Sequence, residues 1–367
     1  MKRLLLLGGG HAHVHVLQEL ARAPLPGCEV MLVTPFARQF YSGMLPGFVA
    51  GHYAEDDCAI PLVPLAGRAQ VLFVEGEARS LDAAQRTVHL ADGRNVPYDL
   101  LSIDVGSVIE RDVIAGAREH GLFVRPIEHF VRLLPGLVDL AARRPLDIAV
   151  IGAGAAGVEI AMALQQRLCV HEGTPARVAL VTGGGEPLAG YPQSVRSRVA
   201  AALRQRRITV LRESCTSIGG QQLELANGAR VACDAPLVMT GGTPPRWLAE
   251  SGLAFNEAGR VRTGATLQSV SNPEVWAAGD CAARDDAPHP ASGVYAVRAG
   301  PPLAASLRAA VGGVPLPTYM PQQRSLNLVS CGSKAAIMAW GEWALAGRWV
   351  WWWKDRIDRG FIARYRG

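Results

Sequence analysis

The 367-residue sequence contains no run of eighteen or more apolar residues, so no part of it is expected to cross a bilayer as a helix. It also lacks any close pair of cysteines, because the seven cysteines are scattered with no C-x-x-C or C-x4-C spacing. This pattern excludes an enzyme that works through a redox-active cysteine pair, and it indicates free, mostly buried thiols. The apolar run after Met1 is too short for a signal peptide and ends in glycines. We therefore predict a first strand there and a cytoplasmic protein.

The positive charge of the sequence is concentrated at its C-terminal end. The net charge is +5, and the last twenty residues contribute +4 of it, from six basic and two acidic side chains. Six of the eight tryptophans also lie at or beyond position 340. The spacing over residues 349–357 predicts a helix that lies on a membrane surface or a partner, and not on nucleic acid. On a membrane, the tryptophans would lie among the headgroups, and anionic lipid would contact the basic side chains Lys354, Arg356, Arg359 and Arg364. A core or dimer-interface helix is the alternative.

The most specific pattern is the stretch Leu4–His13, in which four leucines run into three glycines and then into a helical pattern. A buried strand that turns tightly into a helix presents backbone N–H groups to a pyrophosphate. Gly8 permits the turn, Gly10 lets the backbone approach the phosphates, and His11 begins the helix. His13 stands where a third glycine is usual. A second copy of the loop follows 144 residues later, with its glycines at Gly152, Gly154 and Gly157. Two such loops predict two dinucleotides bound face to face, and therefore electron transfer.

Two strand–glycine turns mark where the chain passes between the two predicted domains. Tyr98–Ser107 and Ala235–Pro244 each read as a buried strand followed by a turn of small residues, with Gly106 in the first turn. We predict an α/β protein with two Rossmann-like dinucleotide-binding domains, the second inserted in the first, plus a small C-terminal appendage. The predicted first domain comprises residues 1–110 and 245–320, the inserted domain residues 111–244, and the appendage residues 321–367.

The acid that usually holds a ribose hydroxyl is missing after both loops. Thr34 ends the second strand and Thr182 ends the corresponding strand of the insert, where an acid is typical. We therefore expect a hydroxyl or the backbone to bind the adenosine ribose at Thr34, and neither NADH nor NADPH is clearly indicated. Glu159 lies two residues after the last glycine of the second loop. It either complements the helix dipole or faces a bound nicotinamide.

Residues for the redox-active end of the first dinucleotide are expected in two places. The segment Phe40–Gly47, with Met44 and Pro46, is too rich in glycine and proline for a regular element and too apolar for a solvent loop. It either packs over a flat isoalloxazine ring or forms a buried irregular connection. Gly279 and Asp280 end a predicted strand, and the carboxylate there can accept hydrogen bonds from sugar hydroxyls.

With two loops, two strand–glycine turns and a Gly-Asp turn, the chain resembles the flavoproteins of the pyridine nucleotide–disulfide oxidoreductase superfamily. Within it, the chain is most similar to type II NADH dehydrogenases and sulfide:quinone oxidoreductases. The stretches GGGHAHVHVL, YSGMLPGFVAGHY and GVYAVRAGPPLAASL resemble an NADH-dehydrogenase-like module that is often fused to selenide, water dikinase. The site residues that the resemblance implies are, for FAD, Gly8, Gly10 and Asp280; for the pyridine nucleotide, Gly152, Gly154, Gly157 and Glu159; and, near the quinone end of the flavin, Lys334.

Two departures from the family's pattern concern the electron acceptor. The A-Q-x-A-x-Q element appears as Gly293–Arg298 (GVYAVR), without either glutamine. Sulfide oxidation needs cysteines close to the flavin, and Cys331 alone lies in a familiar position. Both the quinone and the sulfide assignments therefore depend on what surrounds these residues in the folded chain.

The resemblance implies an enzyme that binds FAD, oxidises NAD(P)H and reduces a quinone-like acceptor. A flavoprotein of sulfur or selenium metabolism and a non-enzymatic, FAD-stabilised partner module are the alternatives. The expected partners are the acceptor, a membrane surface bound through the C-terminal segment, and a second copy of the chain, with no nucleic acid. The expected location is the cytoplasm or the inner face of the plasma membrane. We predict no metal site, because His11, His13 and His15 have no cysteine or acid at ligand spacing.

Overall fold

A computed structural model describes residues 1–168 and 176–366 of the chain. Cys169 lies outside these residues. The other six cysteines are free, and four of them are buried, as the scattered spacing predicted.

The helices and strands follow the order expected of an α/β protein. The helices are α1 (His11–Arg22), α2 (Leu45–Val49), α3 (Leu62–Arg68), α4 (Ala117–His120), α5 (Ile127–Arg143), α6 (Ala155–Leu168), α7 (Gln193–Gln205), α8 (Gly293–Gly312) and α9 (Arg348–Arg366). The strands up to residue 103 are β1 (Lys2–Leu7), β2 (Cys28–Thr34), β3 (Arg38–Phe40), β4 (Ala59–Pro61), β5 (Leu72–Glu75), β6 (Ala78–Asp82), β7 (Thr87–Leu90), β8 (Asn95–Pro97) and β9 (Leu100–Ile103). The next strands are β10 (Leu122–Phe123), β11 (Asp147–Ile151), β12 (Arg177–Val181), β13 (Thr209–Leu211), β14 (Cys215–Ile218), β15 (Gln222–Leu225), β16 (Arg230–Ala232) and β17 (Ala235–Val238). The last strands are β18 (Val261–Thr263), β19 (Val275–Ala277), β20 (Ala282–Arg284), β21 (Asn327–Ser330), β22 (Ala336–Trp340) and β23 (Trp343–Gly347).

The first large sheet is parallel and has the strand order β19-β9-β1-β2-β5. The four leucines of β1 are buried, because helices and neighbouring chain cover both faces of a parallel sheet. Leu7 pairs with Val33 on one side and with Ile103 on the other, so three strands end side by side. Parallel sheets of this kind bind ligands at the carboxyl ends of their strands, where the first glycine loop lies.

The second large sheet is also parallel, with the order β10-β17-β11-β12-β13. All of its strands lie between β9 and β19 of the first sheet along the chain. This arrangement confirms the predicted α/β fold, in which one dinucleotide-binding unit is inserted in another. The exact boundaries at 110, 245 and 320 stay a prediction.

The segment that begins at Phe40 is more regular than its composition predicted. Residues 42–44 form a 3₁₀ turn, and α2 follows with all five of its residues buried. Pro46 lies in the first turn of α2, where an N–H group would have no helical partner and its loss costs little. The prediction of an irregular segment was therefore wrong here, because proline is tolerated at the start of a helix.

The C-terminal segment folds as an antiparallel sheet (β21-β22-β23) followed by α9. α9 buries Val350, Phe361, Ile362 and Tyr365 against the rest of the chain. Each such side chain stabilises the fold by roughly 1.5–3 kcal/mol. The first turns of α9 leave large aromatic side chains exposed, and no helix among the described residues is long and apolar enough to cross a membrane.

Candidate functional site

The first glycine loop has the geometry of a tight strand-to-helix turn. Gly8 adopts φ +95°, its N–H donates to the Val33 carbonyl at 2.8 Å, and α1 begins three residues later. A Cβ at Gly8 would overlap the backbone carbonyl of Asp104, so only glycine fits at this position. The loop therefore needs glycine both for its φ angle and for the close approach of the end of β9.

Asp104 is a buried acid that the sequence analysis did not single out. One of its carboxylate oxygens, Oδ2, accepts hydrogen bonds from the N–H groups of Ala12 (2.8 Å) and His13 (3.0 Å) at the start of α1. A Cβ at Gly10 would overlap this carboxylate, and a Cβ at Gly279 would lie 2.6 Å from Oδ1. Gly10, which was predicted to let the backbone approach a cofactor, therefore also makes room for Asp104, and so does Gly279. The available signal was an acid directly after a buried strand.

The histidines of the first loop do different things. His13, in place of the third glycine, is buried, with its ring nitrogens 2.7 Å from the Gly8 carbonyl and 2.7 Å from Ser102 Oγ. His11 has a buried Nε2 atom with no hydrogen-bond partner among the described residues. Burial lowers the pKa of His11 to about 4, against the charge of Asp280, which raises it. His11 is therefore neutral at pH 7, with a ring nitrogen free to bind a ligand.

Asp280 follows β19 of the first sheet and lies near His11. It forms an ion pair with Arg125, which follows β10 of the second sheet. Its Oδ2 accepts hydrogen bonds from Arg125 Nη1 (2.7 Å) and from Ser107 Oγ (3.1 Å), and Arg125 also donates to Ser107. Burial opposes the charge on Asp280, but the Arg125 charge and these hydrogen bonds lower its pKa overall. Asp280 therefore stays ionised, with Arg125 as its counter-ion.

The two predicted strand–glycine turns meet beside this pair. Val108 and Thr243 exchange backbone hydrogen bonds of 2.8 and 3.0 Å, and Gly106, with φ +68°, precedes this bridge. The Thr243 hydroxyl is buried without a hydrogen-bond partner among the described residues. The chain thus passes between the two sheets at one place, next to Asp280.

An open cavity continues from the end of β2. Thr34 is buried beneath Gly9, and the residues after it line a cavity of about 140 Å³. Polar and charged groups in its wall include Arg38, Glu75 and Glu128. An extended dinucleotide such as FAD fits this set of features: the glycine loop, the cavity, the unpartnered His11 nitrogen and the Asp280–Arg125 pair.

The second loop repeats the geometry of the first. Gly152 adopts φ +122°, and a Cβ there would overlap the Met239 carbonyl. A Cβ at Gly157 would overlap the Gly152 carbonyl, whereas Gly154 faces open space. The loop therefore brings α6 close to β11 and leaves its central backbone accessible to a pyrophosphate.

The turns after β12 and β13 carry a charged pair that the sequence analysis missed. Thr182 Oγ1 donates to the Gly185 carbonyl at 2.6 Å, which closes the turn. Beyond it, Arg212 donates to Glu186 at 2.9 Å, and both side chains are about half exposed. Groups at this position contact the adenosine ribose in dinucleotide-binding folds. The pair therefore places one acidic and one basic side chain beside the predicted ribose site.

Glu159 links α6 to the C-terminal sheet. Its Oε1 accepts a hydrogen bond of 2.7 Å from the Ser330 N–H. Burial raises the pKa of Glu159 to about 7, while the charge of Lys354 and the Ser330 hydrogen bond lower it. Glu159 therefore does more than complement the helix dipole, and it titrates close to neutral pH. Whether it faces a nicotinamide stays a prediction.

The two lysines of the C-terminal segment have different surroundings, and the place of Lys334 near the quinone end of the flavin stays a prediction. Lys334 is exposed, and its Nζ lies 5.5 Å from the Trp351 ring centroid. Lys354, which was expected to contact lipid, is only 12% exposed. Its Nζ donates to the Gly43 carbonyl and to Asp358, each at 2.6 Å. Contact of Lys354 with lipid was therefore a wrong prediction, because α9 turns this residue inwards.

The residues around Gly43 connect α9 to the first loop. The ring of Tyr41 stacks on Phe361 at 4.2 Å, and the ring of His11 lies 5.5 Å from Tyr41. Met44 and Pro46 are both buried in the same segment. Their contact with an isoalloxazine ring stays a prediction.

Comparison with known proteins identifies the family. The sequence pattern of the pyridine nucleotide-disulphide oxidoreductase family matches residues 2–300. A demethylphylloquinone reductase of Synechocystis is 28% identical over 298 residues, which are 78% of this chain and 73% of the relative. An NADH dehydrogenase-like protein of Bacillus subtilis is 23% identical over 354 residues, which are 95% of this chain and 95% of the relative.

Solved structures show the same fold. The sulfide:quinone oxidoreductase of Aquifex aeolicus superimposes with a TM-score of 0.81 at 18% identity, over 100% of this chain and 92% of that one. A structural match at so low an identity shows the fold and does not show the substrate. The match over residues 2–300 covers both glycine loops and the Gly-Asp turn. The chain therefore belongs to the pyridine nucleotide-disulphide oxidoreductase family, and it is an enzyme.

Proposed function

We propose that the chain is an FAD-dependent oxidoreductase that takes hydride from NAD(P)H and delivers the electrons to a quinone-like acceptor. The observation that carries the proposal is that each glycine loop packs against one of the two strand–glycine turns, Gly8 against Asp104 and Gly152 against Met239. These two turns, one from each parallel sheet, pair with each other at the Val108–Thr243 bridge. FAD, when bound, accepts a hydride and passes on its electron pair, so the protein supplies position and charge. The names of the demethylphylloquinone reductase and NADH dehydrogenase-like relatives support the quinone and NADH assignments.

For the bound FAD, we assign the pyrophosphate to Gly8, Gly10 and the start of α1 at His11. The adenosine end lies along Thr34 and the adjacent cavity. The ribityl end lies at Gly279 and Asp280, with Gly106 in the neighbouring turn. Arg125 and Ser107, which hydrogen-bond to Asp280, orient the carboxylate that binds the sugar hydroxyls.

For the pyridine nucleotide, we assign the pyrophosphate to Gly152, Gly154 and Gly157. Glu159 is the acid on the nicotinamide side of the site. Lys334 remains the proposed lysine of the acceptor side. Lys354 is a second cation there, because its charge influences Glu159 and its Nζ contacts Gly43.

We also propose that the C-terminal segment attaches the enzyme to a membrane surface, on the inner face of the plasma membrane. Trp343, Trp349 and Trp352 are 73%, 52% and 61% exposed on the hairpin and on the first turns of α9. Exposed tryptophans with neighbouring arginines favour the headgroup region of a bilayer, and a hydrophobic quinone dissolves in the apolar interior beneath it. A homodimer that covers the same tryptophans is the competing arrangement.

Sulfide oxidation has less support from the structure. Burial raises the pKa of the Cys331 thiol to about 11. A thiol that stays protonated at neutral pH is a poor nucleophile and a poor redox group. We therefore place quinone-like acceptors first.

A steady-state screen of electron acceptors tests the proposed function. NADH or NADPH is supplied as reductant, and ubiquinone and naphthoquinone analogues, oxygen, polysulfide and ferricyanide are compared as acceptors. We expect the highest kcat/KM with a quinone. An enzyme that reduces polysulfide well and quinones poorly would contradict the acceptor assignment, while leaving the reductant assignment intact.

A further inference from the structure

The start of α1 is already occupied by an acidic group of the chain itself. The N–H groups of Ala12 and His13 both donate to Asp104 Oδ2, at 2.8 and 3.0 Å. Asp104 is 2% exposed, and its backbone carbonyl also accepts a hydrogen bond of 3.1 Å from the Gly10 N–H. One residue thus binds three N–H groups of the loop that is assigned to the pyrophosphate, those of Gly10, Ala12 and His13.

These N–H groups belong to the part of a helix that attracts anions. The first N–H groups of a helix have no partner within it, and the helix dipole favours negative charge there. A carboxylate and a pyrophosphate at the same helix end would repel each other in a buried site, where charges are weakly screened. A neutral carboxylic acid would still accept both hydrogen bonds and would remove the repulsion.

We propose that Asp104 is a positioning residue of the cofactor loop that must be protonated for tight FAD binding, so that FAD binding takes up one proton. The inference rests on the proposed assignment of FAD to the first loop. The overall step is balanced: FAD, a proton and the Asp104 carboxylate give a complex that contains the Asp104 carboxylic acid.

None of the described groups that face Asp104 neutralises its negative charge. Asp280 and Cys281 lie on the turn after β19; the charge of Asp280 is paired with Arg125, and burial raises the pKa of Cys281 to about 12. On α1, burial lowers the pKa values of His11 and His13 to about 4, so both are neutral at pH 7. Among the described residues, Asp104 forms no ion pair.

The pKa of Asp104 lies in the range where a ligand can change its protonation. Burial raises the pKa of Asp104 to about 7, against the Ala12 and His13 hydrogen bonds, and the charge of Asp280 adds to the rise. A bound pyrophosphate adds negative charge and raises this pKa further. Affinity for FAD should therefore fall as pH rises above neutrality.

The test is the dissociation constant of FAD for the apo-protein between pH 6 and pH 8.5, measured by quenching of flavin fluorescence. Linkage to one proton weakens binding by up to tenfold per pH unit above the pKa. In Asp104→Asn, which keeps an acceptor for both N–H groups, we expect an affinity that is independent of pH and tighter than wild type at pH 8.5. Asp99→Asn, at the other end of β9, is the matched control and should keep the wild-type profile.

Calorimetry on the wild-type protein gives an answer that does not depend on any variant folding. FAD binding at pH 8.5, in buffers of different ionisation enthalpy, should take up about one proton. Uptake of no proton, or the same pH profile in wild type and Asp104→Asn, would overturn the proposal. Failure of both proteins to bind FAD at any pH would instead remove the cofactor assignment.

Discussion

At the scale of single residues, we expect cofactor retention to depend most on Asp280. This carboxylate is held by Arg125 and Ser107 at the point where the chain passes between the two sheets. A hydrogen bond to a charged group contributes about 1.5–3 kcal/mol. Loss of Asp280 also leaves the partly buried Arg125 without its counter-ion.

Asp280→Ala should therefore weaken FAD binding by about 10- to 150-fold, which corresponds to about 1.5–3 kcal/mol. Titration of the apo-protein with FAD measures this directly. Asp285→Ala, which breaks an exposed ion pair with Arg262, is the control and should bind FAD as the wild type does. Equal FAD affinity in Asp280→Ala and wild type would show that the cofactor lies elsewhere.

Glu159 should make stability depend on pH. Its pKa is about 7 in the folded chain, above its ordinary value of 4.5, so its contribution to stability is present below pH 4.5 and is lost as pH rises through 7. Glu159→Gln cannot ionise and keeps an acceptor for the Ser330 N–H. Compared with wild type, this variant should gain stability between pH 5 and pH 8.

Urea unfolding of the apo-protein at several pH values measures this difference. Asp104 titrates in the same range in both proteins, so the comparison isolates Glu159. Glu257→Gln, at an exposed position, should show no such pH-dependent gain. A stability difference between Glu159→Gln and wild type that stays constant from pH 5 to pH 8 would refute the assignment.

Local sequence pattern predicted the glycines of both loops, since tight turns and close backbone approach are local properties. It did not predict Arg125 or the role of Asp104. The Arg125–Asp280 contact joins residues 155 positions apart, and the Asp104 contact with Ala12 spans 92 positions. Contacts of this kind depend on how strands are ordered in a sheet, which no short stretch of sequence encodes.

At the scale of elements, α9 combines two surfaces that the sequence analysis treated as alternatives. Its buried side chains, Val350, Phe361, Ile362 and Tyr365, together contribute roughly 6–12 kcal/mol, which is comparable to the whole stability of a domain. Removal of α9 by truncation after Gly347 would therefore unfold part of the chain and would not isolate membrane binding. Point variants on its exposed turns are the cleaner test.

The double variant Trp349→Gln/Trp352→Gln should lose binding to anionic liposomes and reduce long-tailed quinones slowly, yet keep reduction of the flavin by NAD(P)H. Liposome flotation and stopped-flow absorbance measure the two effects. Leu133→Gln/Met320→Gln removes two exposed apolar side chains elsewhere and should bind liposomes normally. If the wild type ignores anionic liposomes at low salt and the tryptophan variant becomes monomeric, the segment is a dimer interface.

The loop after β12 bears on the choice of coenzyme. Glu186 and Arg212 are paired beside the predicted ribose site, so a carboxylate is available to a 2′-hydroxyl and a guanidinium to a 2′-phosphate. We expect NADH and NADPH to be used within about a hundredfold of each other, or about 2.7 kcal/mol. Arg212→Ala should shift the ratio of kcat/KM values about tenfold toward NADH.

Steady-state kinetics with both coenzymes checks this expectation. Arg246→Ala, which breaks another exposed arginine–carboxylate pair, is the control and should leave the ratio unchanged. A wild-type preference well above a hundredfold, or no change in Arg212→Ala, would mean that another residue binds the 2′ position.

At the scale of the whole molecule, the order of the two sheets along the chain was predictable because the pattern of each glycine loop predicts the strand before it and the helix after it. The insertion followed from the two strand–glycine turns, Tyr98–Ser107 and Ala235–Pro244, which meet at the Val108–Thr243 bridge. The packing of α9 against Gly43 was not predictable, since it brings together residues 311 positions apart. The sequence showed that the C-terminal segment was unusual but not which of its residues face inwards.

The central claim is that FAD is held at the first loop and is reduced by a pyridine nucleotide at the second. Anaerobic titration of the purified, FAD-loaded protein with NADH, followed by flavin absorbance, tests it most directly. We expect one FAD per chain, bound without a covalent link, and complete bleaching by one equivalent of NADH. A protein that holds no FAD after reconstitution, or a bound flavin that NADH and NADPH both fail to reduce, would contradict the account.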